Sequence, residues 1–142
     1  MPDSRTPLAT RLYTARASAS GGRNGRVSSD DGKLAVQLAK PGSGEGTNPE
    51  QLLAGAWAAC LQSTLQGIAD RRAIDLGTSV VTAAVSLGQD DSKRWALEAE
   101  LLVSRAGSAI PDFRGLVAEA HRACPFSRMA AGIPVQIIVE EG

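Results

Sequence analysis

Two cysteines, Cys60 and Cys124, are the side chains of this sequence best suited to nucleophilic or redox chemistry. They lie far apart along the chain, which excludes a CxxC redox motif. Cys124 directly precedes Pro125 at a predicted helix start, where unsatisfied N–H groups stabilise a thiolate. The competing interpretation of Cys60 is a buried free cysteine that acts as a small hydrophobe, and that of Cys124 is the end of an amphipathic stripe. Spacing alone leaves open whether the two sulfurs approach to disulfide distance.

Two charged residues, Glu50 and Arg23, could take part in chemistry or could have ordinary structural roles. Glu50 precedes Cys60 by close to three helical turns, about 15 Å along the axis, so direct contact between them is not expected. Its ordinary role is the carboxylate of a capping box with Thr47. Arg23 lies beside a predicted turn at Asn24-Gly25, and its ordinary role is a solvated loop charge.

The single histidine and the nearby serines form no strong catalytic set. His121 lies one helical turn before Cys124, where a structural role is more common than a catalytic one. Ser63 and Ser127 find no second histidine that would make a hydrolase triad. Two cysteines and one histidine are also too few for a tetrahedral zinc site without carboxylates or a partner chain, so no metal site is predicted.

Composition narrows the class of protein. The 142 residues predict a single domain spanning 1–142, long enough for a core without disulfides or metals. Fifteen basic residues balance fifteen acidic ones, which argues against a nucleic-acid-binding surface. The N-terminus carries charge and lacks the apolar segment of a signal peptide, and no apolar run approaches a membrane span. We therefore expect a cytoplasmic protein with reduced thiols and no membrane insertion.

Periodicity predicts an α+β fold with the order βββ-α-ββ-α-β and mostly antiparallel strands. One helix is predicted over 47–72, and a second opens at Pro111-Asp112 and is interrupted at Cys124-Pro125, with a short helical turn over 126–131. The predicted strands are 8–19, 25–29, 33–39, 78–87, 94–104 and 134–140.

The helix over 47–72 is the clearest predicted element. It would span about 36 Å, and residues 54–59 are apolar almost all round. A helix without a polar face is buried on several sides, which predicts that it is sandwiched between sheets or clasped by a second subunit. Its predicted apolar face contains Leu53, Trp57, Cys60, Thr64 and Ile68.

Three motifs, taken together and in order, closely resemble the OsmC/Ohr family, and most closely its organic hydroperoxide resistance branch. They are GGRNG at 21–25, GTNPEQL at 46–52 leading into AAC at 58–60, and HRACPFS at 121–127. The resemblance covers nearly the whole chain. The sequence departs from the family pattern at Leu61, Phe126 and Arg128, which affects the expected pocket shape and substrate preference.

The resemblance implies a Cys-based, thiol-dependent peroxidase that reduces organic hydroperoxides. Cys60 would be the peroxidatic cysteine and Cys124 the resolving one. Arg23 would stabilise the Cys60 thiolate, and Glu50 would orient the Arg23 guanidinium. The implied fold is an intertwined homodimer with long central helices and active sites at the interface, which agrees with the apolar helix.

The resemblance also implies partners. No cofactor would be bound, and dihydrolipoamide or a lipoylated protein would reduce the enzyme again. An apolar pocket would favour alkyl or fatty-acid hydroperoxides, with the candidate lining residues Leu53, Trp57, Leu61, Phe126 and Met129. The alternatives are an OsmC-like peroxidase of broader specificity, a non-catalytic dimer that senses oxidants or binds a fatty acid, and a purely structural dimer.

Overall fold

A computed structural model describes residues 6–142, which divide into two compact units. The N-terminal unit extends to Asn48, and the C-terminal unit is Pro49–Gly142. The one-domain organisation stays a prediction. Residues 1–5, on which part of the signal-peptide prediction rests, lie outside the described residues.

The N-terminal unit is built on an antiparallel three-stranded sheet. Its strands are β1 (Ala17–Ser20), β2 (Arg26–Ser29) and β3 (Ala35–Gln37), hydrogen-bonded in that order. The β2–β3 hairpin predicted around residues 30–32 is confirmed. Its turn is held by the Asp31 carboxylate, which accepts hydrogen bonds from the Ser29 hydroxyl at 2.6 Å and from the Lys33 N–H at 3.0 Å.

The first strand is much shorter than the predicted span of 8–19. Residues 7–16 form no strand, and Leu12 and Tyr13 remain 89% and 85% exposed. The reason is the length of the partner: β2 has four residues, so it can pair with only four residues of the preceding segment. Strand-forming side chains do not form a strand unless their backbone groups find a neighbour.

The C-terminal unit combines a second three-stranded sheet with three helices. The strands are β4 (Thr78–Gln89), β5 (Trp95–Ala106) and β6 (Val135–Glu141), in the order β4-β5-β6. The helices are α1 (Pro49–Arg71), α2 (Phe113–Ala123) and α3 (Pro125–Met129). The α+β class is confirmed, and so is the predicted order, with α3 as the short helical turn. Only the β5–β6 pair is parallel among the described strand pairs.

The core of this unit lies where α1 packs on β4 and where α2 and α3 pack on α1. The buried stripe of α1 agrees with the predicted one at Trp57 and Ile68. Between these two residues it differs, since Leu61 and Leu65 turn inward while Cys60 and Thr64 lie at its border. The predicted stripe of α2 is confirmed. It consists of Phe113, Leu116, Val117 and Ala120.

Residues 54–59 of α1 are not buried on several sides within this single chain. Gly55, Ala56 and Ala59 are exposed, and the buried side of the helix runs through Trp57, Leu61 and Leu65. The apolar character of residues 54–59 therefore exceeds what packing within one chain requires. No helix among residues 6–142 combines the length and apolar character needed to cross a membrane.

Candidate active site

The first cysteine is positioned by α1. Trp57 and Leu61 on this helix are each 1% exposed, and Cys60 lies between them at the border of the buried stripe, partly accessible to solvent. The Cys60 carbonyl, which is part of the helix backbone, also accepts a hydrogen bond from the Thr64 hydroxyl at 2.9 Å. The helix therefore fixes the thiol at the edge of the apolar core, with one side open to a reactant.

The second cysteine lies at the junction of α2 and α3. A residue before proline is pushed out of the helical conformation, and Cys124 has the extended angles φ −65° and ψ 121°. Its N–H donates to the Ala120 carbonyl at 2.8 Å, and its carbonyl accepts from the Arg128 N–H at 2.9 Å. Cys124 thus ends one helix and begins the next, and it is completely buried.

The fold brings the two cysteines together. Both are free thiols, and Cys60 packs against the buried cluster that contains Cys124, close enough for the Cys124 side chain to act on the ionisation of Cys60. Burial raises the pKa of the Cys60 thiol above its usual range. The backbone N–H of Phe126 opposes this by stabilising the thiolate, whereas the contact with Cys124 raises the pKa further. Since the thiolate is the nucleophile, this environment by itself favours the less reactive form.

A buried hydrogen bond beside the cysteines was missed at the sequence level. The Trp57 Nε1–H donates to the Ser127 hydroxyl oxygen at 2.9 Å. The sequence points to Ser127 as a candidate hydrolase nucleophile and to Trp57 as part of an apolar helical face and of the pocket, but not to a bond between them. One signal was available: a tryptophan on an apolar helical stripe carries a donor that needs a partner when it is buried.

The five candidate pocket residues have different surroundings. Trp57 and Leu61 belong to the hydrophobic core, and Phe126 is partly buried and packs against it. Leu53 is partly buried, while Met129 is 70% exposed. Their contact with a substrate stays a prediction.

The other two candidate site residues lie in different units. Arg23 is an exposed residue in a 3-10 turn, Gly22–Asn24, of the N-terminal unit. The turn depends on Gly25, since a Cβ there would collide with the Ser20 carbonyl oxygen. Glu50 lies in the first turn of α1 and is partly buried. Its pairing with Arg23 stays a prediction.

His121 lies in the last turn of α2, with its Nδ1 buried and without a hydrogen-bond partner. Burial lowers the pKa of this imidazole, and the neighbouring Arg122 charge lowers it further, so the neutral form is favoured. Among residues 6–142, no group of three or more His, Cys, Asp or Glu side chains is arranged to hold a metal ion.

A chain with two reduced cysteines in contact, on an α+β scaffold, matches a known class of protein. Residues 42–138 match the family model described as OsmC-like protein. The chain belongs to the OsmC/Ohr family.

Its relatives place it in the organic hydroperoxide resistance branch. The organic hydroperoxide resistance protein OhrA of Bacillus subtilis (strain 168) is 39% identical over 138 residues, covering 92% of this chain and 97% of that protein. The crystal structure of an organic hydroperoxide resistance protein from Elizabethkingia anophelis matches with a TM-score of 0.86 at 35% identity, covering 95% of this chain and 100% of that one. The crystal structure of the organic hydroperoxide resistance protein OhrB of Bacillus subtilis matches with a TM-score of 0.82 at 34% identity, covering 93% of this chain and 100% of that one.

Proposed function

We propose that this protein reduces organic hydroperoxides to alcohols with Cys60 as the nucleophile and Cys124 as the resolving thiol. The observation that carries the proposal is the proximity of the two free thiols, because Cys60 packs against the core cluster that contains Cys124. Two cysteines distant in sequence meet where one is partly accessible and the other fully buried. This asymmetry suits a pair in which one thiol meets the substrate and the other meets only its partner.

The proposed reaction has three balanced steps. The Cys60 thiolate attacks the terminal oxygen of ROOH, the O–O bond breaks, and with one proton the products are ROH and a Cys60 sulfenic acid. The Cys124 thiol then forms an S–S bond with Cys60, and its proton leaves with the hydroxyl as water. Finally, an external dithiol reduces the Cys60–Cys124 disulfide by exchange and becomes a disulfide itself.

The first step needs a positive charge near Cys60. Burial favours the protonated thiol, and the contribution of the Phe126 N–H does not outweigh it. We propose that Arg23 supplies the opposing charge and that Glu50 orients its guanidinium by a bidentate hydrogen bond. The motifs GGRNG at 21–25 and GTNPEQL at 46–52 support this, because Arg23 and Glu50 lie in the segments that carry the resemblance to the organic hydroperoxide resistance branch.

The partly buried Phe126, which packs against the core cluster that contains Cys124, favours an alkyl or fatty-acid hydroperoxide over hydrogen peroxide. The proposed reductant is dihydrolipoamide or a lipoylated protein, and the proposed compartment is the cytoplasm, where thiols stay reduced. We also propose a homodimer. Gly55, Ala56 and Ala59 form an exposed small-residue surface on α1, where a second copy can approach closely.

Turnover of tert-butyl hydroperoxide with dihydrolipoamide tests the function. We expect Cys60→Ser to abolish turnover, while Ser63→Ala, an exposed position on the same helix, leaves it unchanged. Full activity in Cys60→Ser would contradict the proposal. Equal rates with hydrogen peroxide would favour the broader OsmC-like peroxidase, and a disulfide that no dithiol recycles would favour an oxidant sensor.

Two controls test the proposed partners. Replacing dihydrolipoamide with a monothiol at the same thiol concentration is expected to slow turnover strongly, and equal rates would remove the dithiol requirement. Light scattering is expected to give the mass of two chains for the wild type. It is expected to give the mass of one chain for Ala56→Glu, because a charge would then lie on the exposed surface of α1.

A further inference from the structure

The hydrogen bond between Trp57 and Ser127 joins the two cysteine-bearing segments. Trp57 precedes Cys60 by one helical turn on α1, and Ser127 follows Cys124 by the same spacing on α3. The donor–acceptor distance is 2.9 Å, and the two residues are 1% and 6% exposed. Water therefore does not compete for this bond, and its geometry is fixed on both sides by packed elements.

The segment that carries Ser127, helix α3, is held by few hydrogen bonds of its own. Pro125 ends the hydrogen-bonding ladder of α2, and α3 contains only five residues. Its backbone is held by short-range bonds such as Arg128 N–H to Cys124 carbonyl and Ala130 N–H to Phe126 carbonyl. A one-turn helix after a proline break can rotate against its neighbours unless a tertiary contact fixes it. The Trp57–Ser127 bond is such a contact, because it ties α3 to the much longer α1.

The indole of Trp57 also makes this hydrogen bond specific to one orientation of α3. An indole N–H is a donor only, so it needs an acceptor when it is buried. The Ser127 hydroxyl supplies that acceptor in one orientation of α3. Any other orientation of α3 would leave the N–H unpaired in the core.

We propose that the Trp57–Ser127 hydrogen bond is a positioning contact that holds Cys124 against Cys60 for disulfide formation. This inference rests on the proposed peroxidase function and adds two residues that act through the cysteines. The bond governs the second step, in which Cys124 attacks the Cys60 sulfenic acid and water leaves. When this step slows, a second hydroperoxide oxidises Cys60 from the sulfenic to the sulfinic acid and releases a second alcohol.

The test separates the two steps in the full-length protein. Wild type and Ser127→Ala are mixed rapidly with one equivalent of tert-butyl hydroperoxide, and samples are quenched over time. Dimedone labels the Cys60 sulfenic acid, and peptide mass spectrometry quantifies the Cys60–Cys124 disulfide. We expect Ser127→Ala to form sulfenic acid within about threefold of the wild-type rate but to form the disulfide roughly tenfold to a hundredfold more slowly. With excess hydroperoxide, its Cys60 is expected to accumulate as sulfinic acid.

Three further variants make the result specific. Ser127→Thr keeps the hydroxyl and is expected to restore much of the disulfide rate. Ser63→Ala removes an exposed hydroxyl from α1 and is expected to leave that rate unchanged. Trp57→Phe removes the donor from the other side. The double variant Ser127→Ala with Trp57→Phe is expected to lose no more than the more impaired single variant, because both changes delete one interaction.

The outcomes distinguish this inference from the proposed function. A wild-type protein that forms no Cys60 sulfenic acid would overturn both. Sulfenic acid formation followed by disulfide formation at the wild-type rate in Ser127→Ala would overturn the positioning role alone. The positioning role would also be overturned by equal losses in Ser127→Ala and Ser63→Ala, or by single-variant losses that multiply in the double variant.

Discussion

Arg105 is a buried cation whose replacement tests how the sheet supports α2. Its Nε donates to the Leu76 carbonyl at 2.9 Å, its Nη2 to the Ser108 carbonyl at 2.8 Å, and its Nη1 to the Glu141 carboxylate at 3.1 Å. The guanidinium also lies 5.5 Å from the centre of the Phe113 ring, at the start of α2. Arg105→Lys keeps the charge, but a single ammonium group cannot reach these separated partners at once.

The expected cost follows from these contacts. Hydrogen bonds made by a charged donor contribute about 1.5–3 kcal/mol each, and lysine loses two of the three. The ion pair with Glu141 adds little, because that carboxylate is 40% exposed and screened by solvent. The two lost bonds together therefore cost about 3 kcal/mol, the lower end of the range for two such bonds, because the bond to Glu141 is weak. With an unfolding entropy near 2.1 cal/mol/K per residue, 142 residues lose roughly 10 °C of Tm.

Thermal unfolding followed by circular dichroism measures this change. Arg114→Lys is the matched control, because Arg114 is exposed and makes one long bond of 3.4 Å to the Val139 carbonyl. Both variants are compared at one protein concentration, since a dimer would make the Tm concentration-dependent. A decrease below about 3 °C for Arg105→Lys, or equal decreases in both variants, would refute the proposed role of the buried guanidinium.

Three further predictions concern ionisation. Cys124→Ala is expected to lower the pKa of Cys60, because it removes a contact that raises it, and so to speed alkylation of Cys60 at neutral pH; slower alkylation would contradict this. Arg23→Gln is expected to slow the reaction with hydroperoxide on the order of a hundredfold, and an unchanged rate would exclude Arg23 from the site. His121 has a lowered pKa in the folded state, so the unfolded state binds its proton first as the pH falls. The wild type should therefore lose stability relative to His121→Gln as the pH falls through 6.5, and a Tm difference independent of pH would count against this.

Local patterns predicted most of the elements that position the site. The proline at the start of α1 and the Cys124-Pro125 step mark real boundaries, because proline restricts the backbone whatever the tertiary context. The apolar stripe of α2 was predicted correctly because its period matches one buried face. These features depend on neighbours within a few residues, which the sequence displays directly.

Features that depend on distant partners were harder to predict. Leu8, Leu12 and Tyr13 have the composition of a strand, yet only residues with a partner on β2 form one. The stripe of α1 was predicted correctly at Trp57 and Ile68 but misassigned by one position at Cys60 and Thr64, because alanine, glycine and leucine surround most of this helix and blur its buried face. The contact between Cys60 and Cys124 depends on how α1, α2 and α3 pack, which spacing along the chain does not specify.

The central claim is that Cys60 and Cys124 work as one redox pair. The most direct measurement is peptide mass spectrometry of the full-length protein after one equivalent of tert-butyl hydroperoxide, with free thiols blocked at the quench. We expect a Cys60–Cys124 disulfide and the loss of both free thiols together. The redox pair would be contradicted if both thiols remained open to alkylation. It would also be contradicted if Cys60 were oxidised to sulfinic acid while Cys124 stayed reduced.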